Sequence, residues 1–110
     1  MITDKEAQES IDFLREHAEE IAKATARIAY IDNAIKRVKA QGMANSDKKT
    51  LGDREIDAYL STEYEEINKG LQVAVHAKEK IKWEMESHKM RFEKWRTEQF
   101  NMRTEAKLAT

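Results

Sequence analysis

The longest regular pattern in this chain lies in residues 64–106, which read YEEINKGLQVAVHAKEKIKWEMESHKMRFEKWRTEQFNMRTEA. Bulky or apolar residues recur along this stretch in alternating steps of three and four. That spacing places them on one stripe of an α-helix, as in a coiled-coil seam. We therefore predict a helix over about 62–104, roughly 60 Å long. Ser61 is a suitable N-cap for it, and acidic residues occupy its first turn.

The N-terminal part of the chain predicts a second long helix, over about 4–42. It begins with a capping box, in which Thr3 and Glu6 are expected to hydrogen-bond each other's backbone amides. Apolar or small residues then recur in steps of four and three as far as Ile28. Two successive steps of three after Thr25 predict a local shift of the stripe. The first part of this stripe is Ala7, Ile11, Leu14, Ala18, Ile21, Thr25 and Ile28.

The segment between the two predicted helices has the composition of a connector. Residues 44–52 contain Asn, Ser, Asp and Gly, which favour a loop. Residues 53–60 predict a short helix with Ile56, Tyr59 and Leu60 on one side. Two long helices joined by a short connector are expected to fold back on each other.

The predicted fold is therefore all-α. It is one helical domain, residues 1–110, formed by a long antiparallel, coiled-coil-like hairpin with a short helix in the connector. Its exposed aromatic surface is too large for two helices to cover, so we expect a homodimer that completes a helical bundle. The predicted helix-packing seam is Ile11, Leu14, Ile21, Ile28, Ile67, Leu71, Ile81, Met85, Phe92 and Trp95.

Composition and spacing argue against several classes of function. Proline is absent, there are only three glycines, and there is no cysteine, which disfavours β-rich folds and excludes thiolate chemistry. Glu84 and His88 share a helix face, but no third metal ligand follows at a recognised spacing. We find no nucleophile–base order and no phosphate-binding loop. We therefore expect no enzyme, no catalytic residue, no cofactor and no metal.

The absence of cysteine fits a reducing cytoplasm, and charge and hydropathy give no sign of a membrane protein. The formal net charge is −1, which gives no general attraction to nucleic acid or membranes. No apolar run approaches the ~18 residues that span a bilayer, and the N-terminus lacks the apolar core of a signal peptide. We expect no membrane association.

Basic and aromatic residues alternate in residues 88–103, which read HKMRFEKWRTEQFNMR. An antiparallel hairpin places this end beside residues 1–23, where seven acidic and three basic residues give a net charge of −4. Residues 88–110 have six basic and three acidic residues, a net charge of +3. The favoured interpretation is that these charges neutralise each other and that the aromatic residues on the seam face the partner helix.

The same segment also admits a second interpretation, in which arginines contact phosphates and an aromatic ring stacks on a base. Phe100 lies off the seam and is the best candidate for that ring. The candidate contacts to a partner or to nucleic acid are Arg91, Lys94, Arg96, Phe100 and Arg103. In the connector, the candidate contacts are Lys48, Lys49 and Tyr59.

Residues 58–107 resemble a set of small helical proteins encoded by tailed phages and prophages. A GL..AV...E.I.W pattern matches from Gly70 to Trp83, and a closing WRT.Q.N.R.E pattern matches from Trp95 to Glu105. Many of those proteins have Pro at the position of Thr62, where Pro also suits the start of a helix. The resemblance implies a phage-encoded protein of the host cytoplasm, from the early or replication–recombination region, and implies no activity.

These observations favour a non-enzymatic interaction protein that binds a phage or host protein. It would act as a replication or recombination accessory, or as an inhibitor of a host factor. The alternative is a protein that binds single-stranded or double-stranded nucleic acid directly through its C-terminal basic-aromatic segment.

Overall fold

The computed structural model describes residues 1–109 and contains three helices in this part of the chain. They are α1 (Asp4–Ala44), α2 (Leu51–Tyr59) and α3 (Thr62–Ala109). No strand occurs within residues 1–109. This architecture confirms the predicted all-α fold with two long helices and a short helix between them. Dimerisation stays a prediction.

The helices form two units, which are described separately. The terminal unit consists of Met1–Ala22 and Glu79–Thr110, and the connector unit is Lys23–Lys78. In the terminal unit the two chain segments run antiparallel. The amide of Ile2 donates to Glu98 Oε2 at 2.9 Å, and Arg91 Nε donates to Ser10 Oγ at 2.6 Å.

Side-chain caps explain where the helices begin. Thr3 Oγ1 accepts from the Glu6 amide at 3.1 Å, and the Glu6 carboxylate accepts from the Thr3 amide at 3.2 Å. The predicted capping box is therefore confirmed. Ser61 Oγ accepts from the Tyr64 amide at 3.2 Å, which confirms its role as N-cap of α3. Thr50 caps α2 through the Asp53 amide, so α2 begins at Leu51 and not at residue 53.

Both long helices continue beyond the ends predicted for them. Gly42 has no positive φ, so α1 continues through it to Ala44, and the Asn45 amide closes the last turn on Gln41. Helix α3 reaches Ala109, five residues beyond the predicted end at 104. The segment 105–109 contains no Gly or Pro to stop a helix.

The inner face of α1 differs from the predicted stripe. The expected shift after Thr25 is absent, and Ala18 and Thr25 are exposed. The prediction was wrong at Ala18 and Thr25, because His17 and Ala24 take the partly buried positions there. Ser10 is buried beside the partly buried Ile11, which the prediction had chosen. The buried or partly buried positions step by three and four without interruption: Ala7, Ser10, Leu14, His17, Ile21, Ala24, Ile28, Ile31, Ile35 and Val38.

Only small side chains are fully covered within residues 1–109. These are Ala7, Ser10, Ala34, Ala58 and Ala74. All ten residues of the predicted seam are partly buried. Each long helix therefore covers the other on one side, and large apolar side chains keep part of their surface in contact with water.

A close backbone contact holds α2 against α1 in the connector unit. A Cβ atom built on Gly42 would lie 2.9 Å from both Cα and Cβ of Ala58. Ala58 is fully buried. Position 42 therefore requires a residue without a side chain, because α2 occupies the space that a Cβ atom would fill.

Candidate interaction surfaces

A polar cluster around the buried Ser10 joins the two segments of the terminal unit. Ser10 is 0% exposed. Its hydroxyl oxygen accepts from Arg91 Nε at 2.6 Å and lies 3.1 Å from His88 Nδ1. The Phe13 ring stacks on His88, with 4.1 Å between ring centroids. This arrangement satisfies the serine hydroxyl between two helices, so it favours one register of α1 against α3.

Arg91 also approaches two carboxylates of α1. Its guanidinium nitrogens lie 4.0 Å from Glu6 Oε2 and 3.8 Å from Glu9 Oε2. Hydrogen bonds from Thr3, with a smaller contribution from Arg91, hold the pKa of Glu6 below its usual value. Arg91 was a candidate contact to an outside partner, but in this structure it binds side chains of the same chain.

Trp95 likewise faces α1. Its Nε1–H donates to Asp4 Oδ1 at 2.9 Å, and its ring stacks on Phe92 with centroids 5.7 Å apart. These contacts agree with the interpretation that the seam aromatics face the partner helix. Together with the Arg91 contacts, they bring the acidic start of the chain beside its basic end.

The remaining C-terminal candidates form an exposed stripe. Arg96, Phe100 and Arg103 follow each other at i, i+4 and i+7, which is one face of a helix. We call these three residues the C-terminal stripe. Phe100 is 67% exposed, and all three border an open cleft of ≈ 350 Å³ with Glu93, Trp95, Thr97 and Gln99. Lys94 is exposed as well.

The ion pairs along the described part of α3 do not include Arg103. Lys89 lies 3.3 Å from Glu86, and Arg96 lies 3.6 Å from Glu93, so each basic residue meets an acid three residues earlier. Three residues before Arg103 the acid is replaced by Phe100. The Arg96–Glu93 pair is exposed, and such pairs contribute only about 0–1 kcal/mol. Little stability would therefore be lost if the side chains of Arg96 and Arg103 contacted a bound partner instead.

In the connector unit, Tyr59 belongs to an internal cluster. Lys39 Nζ donates to Glu55 Oε1 at 2.7 Å and lies 5.0 Å from the centroid of the Tyr59 ring. The Tyr59 hydroxyl donates to the same carboxylate at 3.3 Å. The hydrogen bond between Lys39 and Glu55 raises the pKa of Lys39 and lowers that of Glu55. Tyr59 keeps 44% of its surface exposed beside this cluster.

The loop lysines lie at the surface. Lys48 and Lys49 are exposed. The backbone of Lys48 is held in place, because its carbonyl accepts from Arg54 Nε at 2.7 Å and its amide donates to Ser46 Oγ at 3.2 Å. Their side chains can therefore flank a bound partner.

Sequence reasoning missed an apolar surface on α2 and its flanks. Ile56 and Leu60 are 55% and 80% exposed and lie four residues apart on one side of α2, and we call them the connector patch. Leu51 is 73% exposed as well, but it lies nine residues before Leu60 and on another side of the helix. The prediction had placed Ile56 and Leu60 with Tyr59 on one side of the short helix without assigning that side to the surface. The missing information was the contact of Ala58 with Gly42, which turns the small residue inward and the large ones outward.

The described part of the chain, residues 1–109, contains no group of three or more His, Asp or Glu residues able to hold a metal ion. In the same range, no helix is long and apolar enough to cross a membrane.

No protein-family model, curated protein or solved structure matches this chain.

Proposed function

We propose that this chain is a non-enzymatic helical interaction protein that binds a protein partner. The observation that supports this proposal is that large apolar side chains are more often exposed than buried. Within residues 1–109 only alanines and one serine are buried, while many large apolar side chains remain exposed. Soluble proteins use such uncovered surface mainly for contacts with other proteins.

The connector patch is the proposed main contact. Ile56 and Leu60 present two large aliphatic side chains on one side of α2, and Lys48 and Lys49 lie in the preceding loop. An apolar centre with a charged rim is typical of protein interfaces. Tyr59, at the edge of this region, adds an exposed aromatic surface of the kind enriched at such contacts.

A second copy of the chain is the proposed cover for the helix-packing seam. The ten seam residues are only partly buried, and two paired helices bury too little to be stable alone in water. Packing two hairpins about a two-fold axis forms a four-helix bundle and covers the remaining seam surface.

The resemblance to proteins of tailed phages and prophages supports the proposed setting. In that setting the chain is phage-encoded and acts in the host cytoplasm. It serves as an accessory to replication or recombination, or as an inhibitor of a host factor. Both roles require surface contact and no catalytic residue.

The proposal is tested by affinity capture from host lysate with the wild-type protein and an Ile56→Asp/Leu60→Asp variant. Both residues are exposed, so the helical circular dichroism signal should not change. We expect one stoichiometric protein to be captured by the wild type and lost with the variant. Tyr30→Asp, at a residue 67% exposed on α1, is the matched control. Capture that is equal in all three proteins, or absent from the wild type, contradicts the proposal.

The alternative function, direct nucleic-acid binding, is supported by the exposed Phe100 beside Arg96 and Arg103. It predicts retention on single-stranded DNA at ~50 mM salt, where phosphate contacts are strongest. An Arg96→Ala/Arg103→Ala variant should then be released. No retention of the wild type under these conditions removes this alternative.

A further inference from the structure

Two large side chains lie on the side of α3 that faces away from α1. In the terminal unit, Trp83 and Met90 are 64% and 65% exposed. Trp83 lies two residues from each of the seam residues Ile81 and Met85. Met90 lies two residues before the seam residue Phe92. Two residues turn an α-helix by about 200°, so both side chains lie opposite the seam. They are seven residues apart and share one face, and we call them the outer patch.

Acidic and basic residues are separated on the two sides of the outer patch. On a helix surface, positions i−4 and i+3 lie on one side of residue i, and positions i−3 and i+4 lie on the other. One side has a glutamate at every seventh position, namely Glu79, Glu86 and Glu93. The other side has two lysines and a serine at the same intervals, namely Lys80, Ser87 and Lys94.

The existing contacts of these residues are weak. Glu86 lies 3.3 Å from Lys89, and Glu93 lies 3.6 Å from Arg96. Both ion pairs are exposed, and such pairs contribute only about 0–1 kcal/mol. Lys82 Nζ lies 5.6 Å from the centroid of the Trp83 ring, yet most of that ring remains exposed. The outer patch and its charged sides are therefore accessible to another molecule.

The charge pattern is complementary to itself in one orientation. Rotating a second copy by 180° about an axis parallel to α3 places the glutamate side of each helix against the lysine side of the other. Rotation about a perpendicular axis makes the helices antiparallel and places glutamates against glutamates. Like charges opposite each other oppose binding. The pattern therefore favours a parallel pair of α3 helices, as the flanking charges do in parallel coiled coils.

We propose that the outer patch binds the outer patch of a second copy of this chain, with the two α3 helices parallel and in register. Trp83 and Met90 each meet their counterpart in the second copy, and the glutamates of each copy pair with the lysines of the other. The contact lies opposite the seam, so it is separate from the seam contact and goes beyond the proposed function. Two large side chains per copy form a small interface, which is typical of a weak, reversible dimer.

Disulfide cross-linking tests this contact, because the chain has no cysteine of its own. Thr97 is exposed and lies seven residues after Met90, on the same face. In the parallel register the two Thr97→Cys side chains meet, whereas antiparallel pairing of the patches separates them. Asp12→Cys is the matched control, at an exposed position of α1 that lies two residues from Ser10 and Leu14 and so faces away from α3.

Three variants are made in the Thr97→Cys background. Trp83→Ala/Met90→Ala removes the apolar centre. Lys80→Glu/Lys94→Glu makes both sides acidic, and Glu79→Lys/Glu93→Lys makes two of the three glutamates basic. All of the replaced residues are exposed or partly buried at the surface, so the helical circular dichroism signal should not change. The two charge variants are oxidised separately and as an equimolar mixture.

With oxidised glutathione we expect a cross-linked dimer of Thr97→Cys and none of Asp12→Cys. The patch variant should cross-link about tenfold less. Each charge variant alone should cross-link less as well, and their mixture should recover the dimer as a mixed disulfide, which mass spectrometry identifies. Three results overturn the proposal: no Thr97→Cys dimer, an equal yield from Asp12→Cys, or a yield that the charge variants leave unchanged. None of these results alters lysate capture by Ile56 and Leu60, so the proposed function and this inference fail separately.

Discussion

Replacing Gly42 by alanine is expected to lower the free energy of unfolding, whereas replacing glycine by alanine inside a helix usually raises it. Alanine in a helix interior is normally more stable than glycine by about 0.5–1 kcal/mol. At position 42, however, the new methyl group would lie 2.9 Å from Cα and Cβ of the fully buried Ala58. Carbon atoms in contact prefer about 3.5–4.0 Å, so α2 must move away from α1. Overpacking of this kind costs about 1–3 kcal/mol.

The net expectation for Gly42→Ala is a loss of about 0–2.5 kcal/mol in the free energy of unfolding, after the helix propensity gain is subtracted. Gly70→Ala is the matched control, because a Cβ at Gly70 meets nothing within 4 Å. That variant should gain up to about 1 kcal/mol. Urea unfolding followed by far-UV circular dichroism at one fixed protein concentration measures both. If Gly42→Ala is as stabilising as Gly70→Ala, the close packing of α2 on α1 is refuted.

Two further predictions concern the polar contacts. Ser10→Ala should lower the free energy of unfolding by about 1–3 kcal/mol, because it leaves Arg91 and His88 without their shared partner; exposed Ser87→Ala is the control and should change stability by less than about 0.5 kcal/mol in the same urea assay. Glu6 and Glu55 have pKa values below the ordinary 4.5, so the stability they contribute is present above pH 4.5 and lost as the pH falls through their lowered pKa values. The urea midpoint should therefore decrease on acidification below that pH, and the decrease should be smaller in Glu6→Gln/Glu55→Gln; an unchanged pH profile in that variant contradicts the assignment.

The sequence predicted those parts of the fold that depend on local, repeated signals. The three-and-four spacing of α3 is unbroken because its inner positions are mostly apolar. The caps at Thr3 and Ser61 were predictable because each depends on residues only three positions apart. On α1 the same method placed Ala18 and Thr25 on the inner face, where the structure has His17 and Ala24. It also passed over polar Ser10, whose burial is explained by its hydrogen bonds with His88 and Arg91 on α3.

The candidate surfaces were harder to predict because they depend on what lies opposite each residue. Arg91 and Arg96 have the same chemistry and similar sequence surroundings, but only Arg91 meets acids of α1. The connector patch depends on the contact of Gly42 with Ala58, which are sixteen residues apart. The exposure of α3 from Phe100 onward depends on where α1 begins relative to Trp95. None of these relations is visible in the periodicity of a single helix.

The uncovered apolar surface links stability to binding in this chain. A hairpin that buries only alanines and one serine gains little from its own core, because small side chains remove little apolar area from water. Any molecule that binds the folded chain at the seam or the connector patch stabilises it by RT ln(1 + [L]/Kd), about 2.7 kcal/mol at one hundred times Kd. The Ser10–Arg91–His88 cluster acts on register, because a shift of one helix along the other would leave the buried Ser10 hydroxyl without its hydrogen-bond partners.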